Sequence, residues 1–240
     1  MANKFEACLL SKVIFHLKKI LEFKPYEKFD GVSNAEEFKL LIRRDPAFEP
    51  FSLHQDKYVV ARIGGNLITS IHRKIGDLYE DVILELLTRK YGFSKEYLKF
   101  SLDIVVDGVK QERTTDGRLI LSDIKDKKLK ENVKSLMVGK YSGLAMEVRS
   151  CYQIGDSKRI QADEHMAKAL KAIDIEPKLV IFCNTSLISP IRRLSHHWTV
   201  YEGEKAFAYI HKLTSFDLYK FLMDNDTTIK PIMDKVFDTL

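Results

Sequence analysis

Two charged residues interrupt an apolar run near the middle of the chain. The stretch GLAMEVRSCY, from Gly143 to Tyr152, carries Glu147 and Arg149 two positions apart. In a strand alternate side chains share a face, so Glu147 and Arg149 point one way and Met146 and Val148 the other. The charged face is expected to look into a cleft, because a buried unpaired carboxylate costs several kcal/mol or takes up a proton. A plain ion pair on a sheet face is the competing reading. A second carboxylate, Asp103, sits inside another apolar run, SLDIVV. On neighbouring strands, Asp103 and Glu147 would hold one divalent cation between them. Two hard carboxylates with water and a phosphate oxygen suit Mg²⁺, which activates water and stabilises charge on an attacked phosphate. Arg149 or Lys158 would supply a cation for that charge. Asp123, in RLILSDI, is a rival ligand nearer to Glu147 in sequence, and Asp107 is a weaker one. Glu80 reads either as support behind the ligands or as a solvated helix charge.

A set of polar and basic residues is spaced to meet nucleic acid. The turn GDSKR places Lys158 and Arg159 beside the free N–H groups of a helix start, a phosphate-binding arrangement. Asp156 or Ser157 serves equally as a plain N-cap there. Gln161 follows on the helix, and Gln153 precedes the turn. The connection VKQERTTDG offers Gln111, Glu112 and Arg113, side chains that read base edges in a major groove. KDKKLKENVK, with Lys128, has a basic face for backbone phosphates. SPIRRLSHHW brings Arg192, Arg193, His196 and His197 to a second candidate DNA-facing loop.

Elements must position these groups. Phe5, Leu9, Val13, Leu17 and Ile20 predict a helix over 4–22. Residues 24–66 are irregular, with Gly64-Gly65-Asn66 as a flexible turn. Ile71, Ile75, Leu78, Val82 and Leu86 lie on one face of a long helix that ends near Gly92. Strands are predicted over 97–107, over 118–124, at GLAMEV, at KLVIFCN, at WTVYEG and at AFAYI. Asp116-Gly117 carries turn chemistry. A helix is expected over 157–174, and two more follow Thr214. The order argues for one α/β domain over 1–240 with a central mixed sheet flanked by helices. Within it, 1–63 is a helical segment, 64–220 the core and 221–240 a C-terminal helix.

This succession resembles the PD-(D/E)XK nuclease superfamily, most closely its type II restriction endonucleases. Glu80 lies in the preceding helix, Asp103 in SLDIVV, and Glu147 and Arg149 in MEVRS. GDSKRIQADEHMAKAL is the following helix and KLVIFCN the next strand. The likeness covers roughly residues 64–220, and Arg149 stands where the family carries lysine. It implies a Mg²⁺-dependent endodeoxyribonuclease that cuts double-stranded DNA at specific sequences and leaves a 5′-phosphate. Asp103 and Glu147 would bind the metal, with Arg149 and Lys158 as catalytic cations. It also implies a homodimer, since a two-fold protein matches a palindromic site, and a prokaryotic, cytoplasmic setting. The alternatives are a DNA-binding module that keeps the fold without the chemistry, and a structure-selective repair nuclease.

Composition agrees with these expectations but is not decisive. The chain has 240 residues, and its formal charge of +5 permits an anionic partner without requiring one. Three widely spaced cysteines, with no CxxC pair, suggest a reducing compartment and neither a zinc knuckle nor a redox motif. The longest apolar runs are too short to span a bilayer.

Overall fold

The structure is a computed structural model that describes residues 4–26, 29–106, 108–153 and 157–238. Asp107, Asp156 and the side chain of Ser157 lie outside what it describes. Among the described residues no helix is long and apolar enough to cross a membrane. The chain divides into two compact units, one of residues 1–13 with 76–226 and one of residues 14–75 with 227–240.

Helix α1 (Lys4–Leu21) forms where expected, with Leu9, Val13, Leu17 and Ile20 buried at helical spacing. The irregular stretch after it holds α2 (Ala35–Arg43), capped by the Asn34 side chain on Glu37 N. Phe38 and Ile42 of α2 cluster with Val59 and Ile63 to form the core of the smaller unit.

Helix α3 (Asp56–Tyr91) is 36 residues long and runs straight through Gly64-Gly65-Asn66, which sequence assigned to a turn. Val59, Ile63, Leu67 and Ile71, four residues apart, are all buried. Their burial, about 2 kcal/mol per side chain, outweighs roughly 1 kcal/mol of helix propensity lost at each glycine.

After the short α4 (Lys95–Leu98), β1 (Phe100–Val106) and β2 (Val109–Thr115) make an antiparallel ribbon in which Asp103 faces Glu112. The connection assigned to a loop is therefore mostly strand. A separate four-stranded sheet has the order β3-β4-β5-β6. It comprises β3 (Gly117–Ile120), β4 (Gly143–Arg149), β5 (Ile175–Ile181) and β6 (Thr199–Glu202). β3 runs antiparallel to β4, and β4, β5 and β6 are mutually parallel, so the expected mixed sheet is present. Helix α6 (Ser157–Ala172) makes the crossover from β4 to β5 and packs on β5 and on the ribbon. Its Ile160, Met166, Ala167 and Leu170 enter one cluster with Ala145, Leu179, Ile181 and Trp198.

Three further segments differ from expectation. RLILSDI leaves the sheet at Ile120, and Asp123 sits in the turn that follows. SPIRRL is not a loop but α7 (Ile188–Leu194), with Pro190 in the first turn, where its missing N–H costs nothing. AFAYI is not a strand but part of α8 (Glu204–Thr214). Ala206, Tyr209, Ile210 and Leu213 are all buried there, the 3-and-4 spacing of a helix face. KDKKLKENVK, which reads as either a short basic helix or an exposed insertion, forms helix α5 (Lys127–Ser135), and the two C-terminal helices α9 (Leu218–Asp224) and α10 (Asp226–Phe237) form as expected.

One buried ion pair fixes the other face of the sheet. Lys178 of β5 is 0% exposed, and its Nζ donates to Glu176 Oε1 and to Leu136 O, each at 2.9 Å. Glu176 also accepts from Val138 N and from Thr199 Oγ1. The pair thus anchors the segment that leaves α5 and leads into β4.

The continuous α3 carries a direct test. A Cβ added at Gly64 or Gly65 meets nothing within 4 Å. The double variant Gly64→Ala, Gly65→Ala should therefore gain roughly 1–2 kcal/mol by chemical denaturation, because the helix loses two flexible residues. A turn at this position would make the same variant less stable than wild type.

Candidate active site

β4 is buried on both faces, and Glu147 is only 5% exposed. The open cleft expected above this residue is closed. Burial therefore demands partners, and Arg149 is the first of them. Its Nη2 lies 2.6 Å from Glu147 Oε2, so the sheet-face ion pair exists. It is one part of a larger cluster.

Arg149 gathers two more carboxylates. Its Nη1 is 3.1 Å from Asp116 Oδ2 and donates to Val148 O at 2.8 Å. Its Nη2 is 3.5 Å from Asp163 Oδ1. Asp116 reaches the cluster because the antiparallel register sets Gly117 opposite Met146. Its own N–H donates to Met146 O, and its Oδ2 accepts from Val148 N at 2.7 Å. Asp163 projects from α6, where Tyr152 Oη donates to its Oδ2 at 2.7 Å and Trp198 Nε1 to its carbonyl at 2.9 Å. The ends of β2 and β4 and the middle of α6 thus meet at one guanidinium.

Three carboxylates on one guanidinium leave the cluster short of positive charge. Burial pushes the Glu147 pKa well above the ordinary carboxylate range. Arg149 opposes this, and Asp116 and Asp163 reinforce it. Burial also raises Asp116, against the pull of Arg149 and with a further push from Glu80. The neighbouring Glu147 side chain and the Val148 N–H pull Asp116 back down, but burial prevails. Burial works against the charge on Arg149, but the surrounding acids outweigh it and hold its pKa well above the ordinary value. Glu80 itself pairs with Lys99 Nζ at 2.7 Å, on the helix side of Asp116.

The other sequence candidates are placed as follows. Asp103 does not share the apolar side of its strand. Phe100, Leu102 and Ile104 pack into the cluster beneath the ribbon, and alternation sends Asp103 to the opposite, outer face. Its side chain is 58% exposed and pairs with Lys110 at 2.8 Å. The acid-then-apolar pattern is real, but it buries the apolar residues and exposes the acid. Asp116 occupies the place beside Glu147 that Asp103 was expected to fill. Asp123, the rival, is exposed in its turn and accepts from Tyr97 Oη and Ser122 Oγ.

Lys158 and Arg159 are exposed on the first turn of α6, and Gln161 is half-buried behind them. Gln111 and Arg113 sit together on β2, with Arg113 Nη2 donating to Gln111 Oε1. Lys128 is exposed on α5 and Arg192 on α7. Arg193 is engaged rather than free, because its guanidinium grips both oxygens of Glu164 and ties α7 to α6.

Sequence reading missed Asp116, Asp163 and Tyr152. Asp116-Gly117 looked like a turn, and only the β3–β4 register reveals its position. Asp163 lies in the helix from which only Lys158, Arg159 and Gln161 were singled out, as nucleic-acid contacts. Among the described residues no group of three or more His, Cys, Asp or Glu side chains is arranged to hold a metal ion. No protein-family model matches the chain, and no curated protein or solved structure does either.

The raised Glu147 pKa has a consequence for stability. A carboxyl whose pKa rises on folding contributes stability below its unfolded value, near 4.5, and loses it as pH climbs through the folded value. Glu147→Gln removes this term and keeps the shape. In metal-free buffer with chelator, the stability of Glu147→Gln relative to wild type should therefore increase from pH 4.5 upward. Parallel melting curves across that range would mean that Glu147 ionises without strain.

Proposed function

We propose that this chain is a Mg²⁺-dependent endodeoxyribonuclease of the PD-(D/E)XK type, acting on double-stranded DNA, with Asp116 in the role that sequence gave to Asp103. The observation that carries this reading is the cluster at the end of β4. Two buried carboxylates, Asp116 and Glu147, touch each other beside a guanidinium, and the local charge is too negative for that guanidinium alone. Support also comes from the order of elements. Glu80 on a helix precedes Asp116 at a strand junction, Glu147 and Arg149 share the next strand, and a crossover helix leads to a parallel neighbour.

The donor set fits Mg²⁺ through its chemistry. Asp116 and Glu147 offer hard oxygens, and a small, strongly hydrated cation keeps several water ligands in addition to one or two carboxylates. When bound there it would supply Lewis-acid stabilisation and an activated water. This chain's own residues do the rest. Val148 N and Arg149 orient Asp116, while Tyr152 and Trp198 hold Asp163. Arg149 contributes a fixed positive charge that cannot act as a proton shuttle. Lys158 and Arg159 at the start of α6, Gln161 behind them, Lys128 on α5, and Gln111, Arg113 and Arg192 are the proposed DNA contacts. A homodimer would match a palindromic site.

One observation favours a second reading, a DNA-binding module without catalysis. Arg149 is already committed to Glu147, Asp116 and Val148 O, as a residue serving only to neutralise its neighbours would be.

Incubating plasmid with Mg²⁺ separates the two, and the reassigned acid is the sharpest probe. Asp116→Ala and Glu147→Ala should each lower cleavage by more than about 100-fold, the scale of several kcal/mol of transition-state stabilisation. Asp103→Ala should stay within about twofold of wild type, as surface substitutions do. Cleavage lost in Asp103→Ala but kept in Asp116→Ala would refute the reassignment. Wild-type protein that binds DNA and leaves it intact would favour the binding module. Arg149→Lys keeps the charge and should retain cleavage, whereas Arg149→Met strands three carboxylates and is expected to destabilise the fold.

A further inference from the structure

β4 and β5 continue side by side beyond their last paired residues. Arg149 lies opposite Ile181, and past them Phe182 N donates to Arg149 O and Cys183 N to Ser150 O, each at 3.0 Å. Two residues further along each chain, Cys151 comes opposite Cys183. Neighbouring strands lie about 4.8 Å apart, inside the Cα separation that a disulfide spans. Both thiols are free and partly buried. Ser186 Oγ joins them, 3.3 Å from Cys183 Sγ and 3.8 Å from Cys151 Sγ.

We propose that Cys151 and Cys183 form a peroxide-responsive dithiol, which a hydroperoxide converts to an intramolecular disulfide across the ends of β4 and β5. This modification site uses none of the carboxylate cluster's side chains and does not rest on the nuclease reading. The surroundings assign the two sulfurs different parts. Burial opposes a thiolate at Cys183, but hydrogen bonds involving Cys151, Ser186 and Thr185 outweigh it and bring the pKa below the ordinary thiol value. Burial and the neighbouring Cys183 push Cys151 up to about 11. With Ser186 Oγ nearer to Cys183, at 3.3 Å against 3.8 Å for Cys151, we assign Cys183 as the attacking sulfur and Cys151 as the resolving one.

The chemistry balances. The Cys183 thiolate attacks the hydroperoxide, the O–O bond breaks, and the sulfur is oxidised to a sulfenic acid while the peroxide is reduced to an alcohol, or to water from hydrogen peroxide. Cys151 then attacks the Cys183 sulfur. The S–S bond forms, the S–O bond breaks, and hydroxide leaves as water with the proton from Cys151.

The test treats the full chain with one equivalent of hydrogen peroxide, alkylates what remains, and maps the cysteines by mass spectrometry. The expected result is loss of two of the three thiols, with the Cys151 and Cys183 peptides linked within one chain and the exposed Cys8 alkylated. Cys151→Ser should leave a sulfenic acid on Cys183 that dimedone traps, and Cys183→Ser should leave Cys151 as an unreacted thiol. Oxidation that reaches Cys8 first would overturn the proposal. So would a wild-type chain that links to a second copy, or one that carries Cys183 to sulfinic acid without the link.

Discussion

A guanidinium buried at the end of a strand must be met by acids. At Arg149 that requirement determines how three separate elements finish. Glu147 comes from the same strand, Asp116 from the junction of the ribbon with the sheet, and Asp163 from the crossover helix. Each acid is itself held, by Arg149, by Val148 N and by Tyr152 Oη respectively. The register of β3 on β4 and the docking of α6 are thus coupled to one side chain. A shift of β3 by one residue would send Asp116 to the opposite face and leave Arg149 short of a partner. Breaking such a buried arrangement by removing one member typically costs 3–5 kcal/mol.

The opposite face of the same sheet follows similar logic with a different result. Lys178 and Glu176 form a pair that is almost wholly enclosed, and backbone groups complete it: Leu136 O accepts from the ammonium, and Val138 N donates to the carboxylate. One cation meets one anion, and Thr199 contributes a further hydrogen bond. Burial lowers the Lys178 pKa, and Glu176 resists that shift. This pair is balanced and tied to the chain on both sides of the α5–β4 connection, so a structural role accounts for it. The Arg149 cluster is not balanced.

What sequence made legible followed from periodicity. α1, α6 and β4 carry strong patterns and form where those patterns place them, while β5 (Ile175–Ile181) begins three residues before the KLVIFCN run that announced it. AFAYI was misread because five apolar or small residues satisfy either period, and only Leu213 beyond them reveals the helix face. The Gly64-Gly65 pair was misread because local flexibility was weighed without the four buried residues on either side of it. In the site, Glu147 and Arg149 were visible because charges inside an apolar strand are rare. Asp116 was not, since its position depends on a pairing register between strands about 30 residues apart in the chain. Asp103 was favoured on a local pattern that describes its strand correctly, but its apolar neighbours decide which way the acid faces.

Stability alone gives no reason for the Arg149 cluster to have this composition. A buried ion pair is often no better than well-packed apolar residues of the same volume, and a surplus of like charge makes it worse. Burial raises the pKa of both Glu147 and Asp116, which places the ionised state of the cluster at a disadvantage inside the fold. On the proposed nuclease reading, this arrangement would suit an incoming cation. Its carboxylates are already turned toward each other, and each loses part of its strain when positive charge arrives. The same residues would then serve two states, one neutralised by a proton and one by a metal, with Arg149 holding the acids in place in both. On that reading the first turn of α6, which carries Lys158 and Arg159, would supply phosphate contacts.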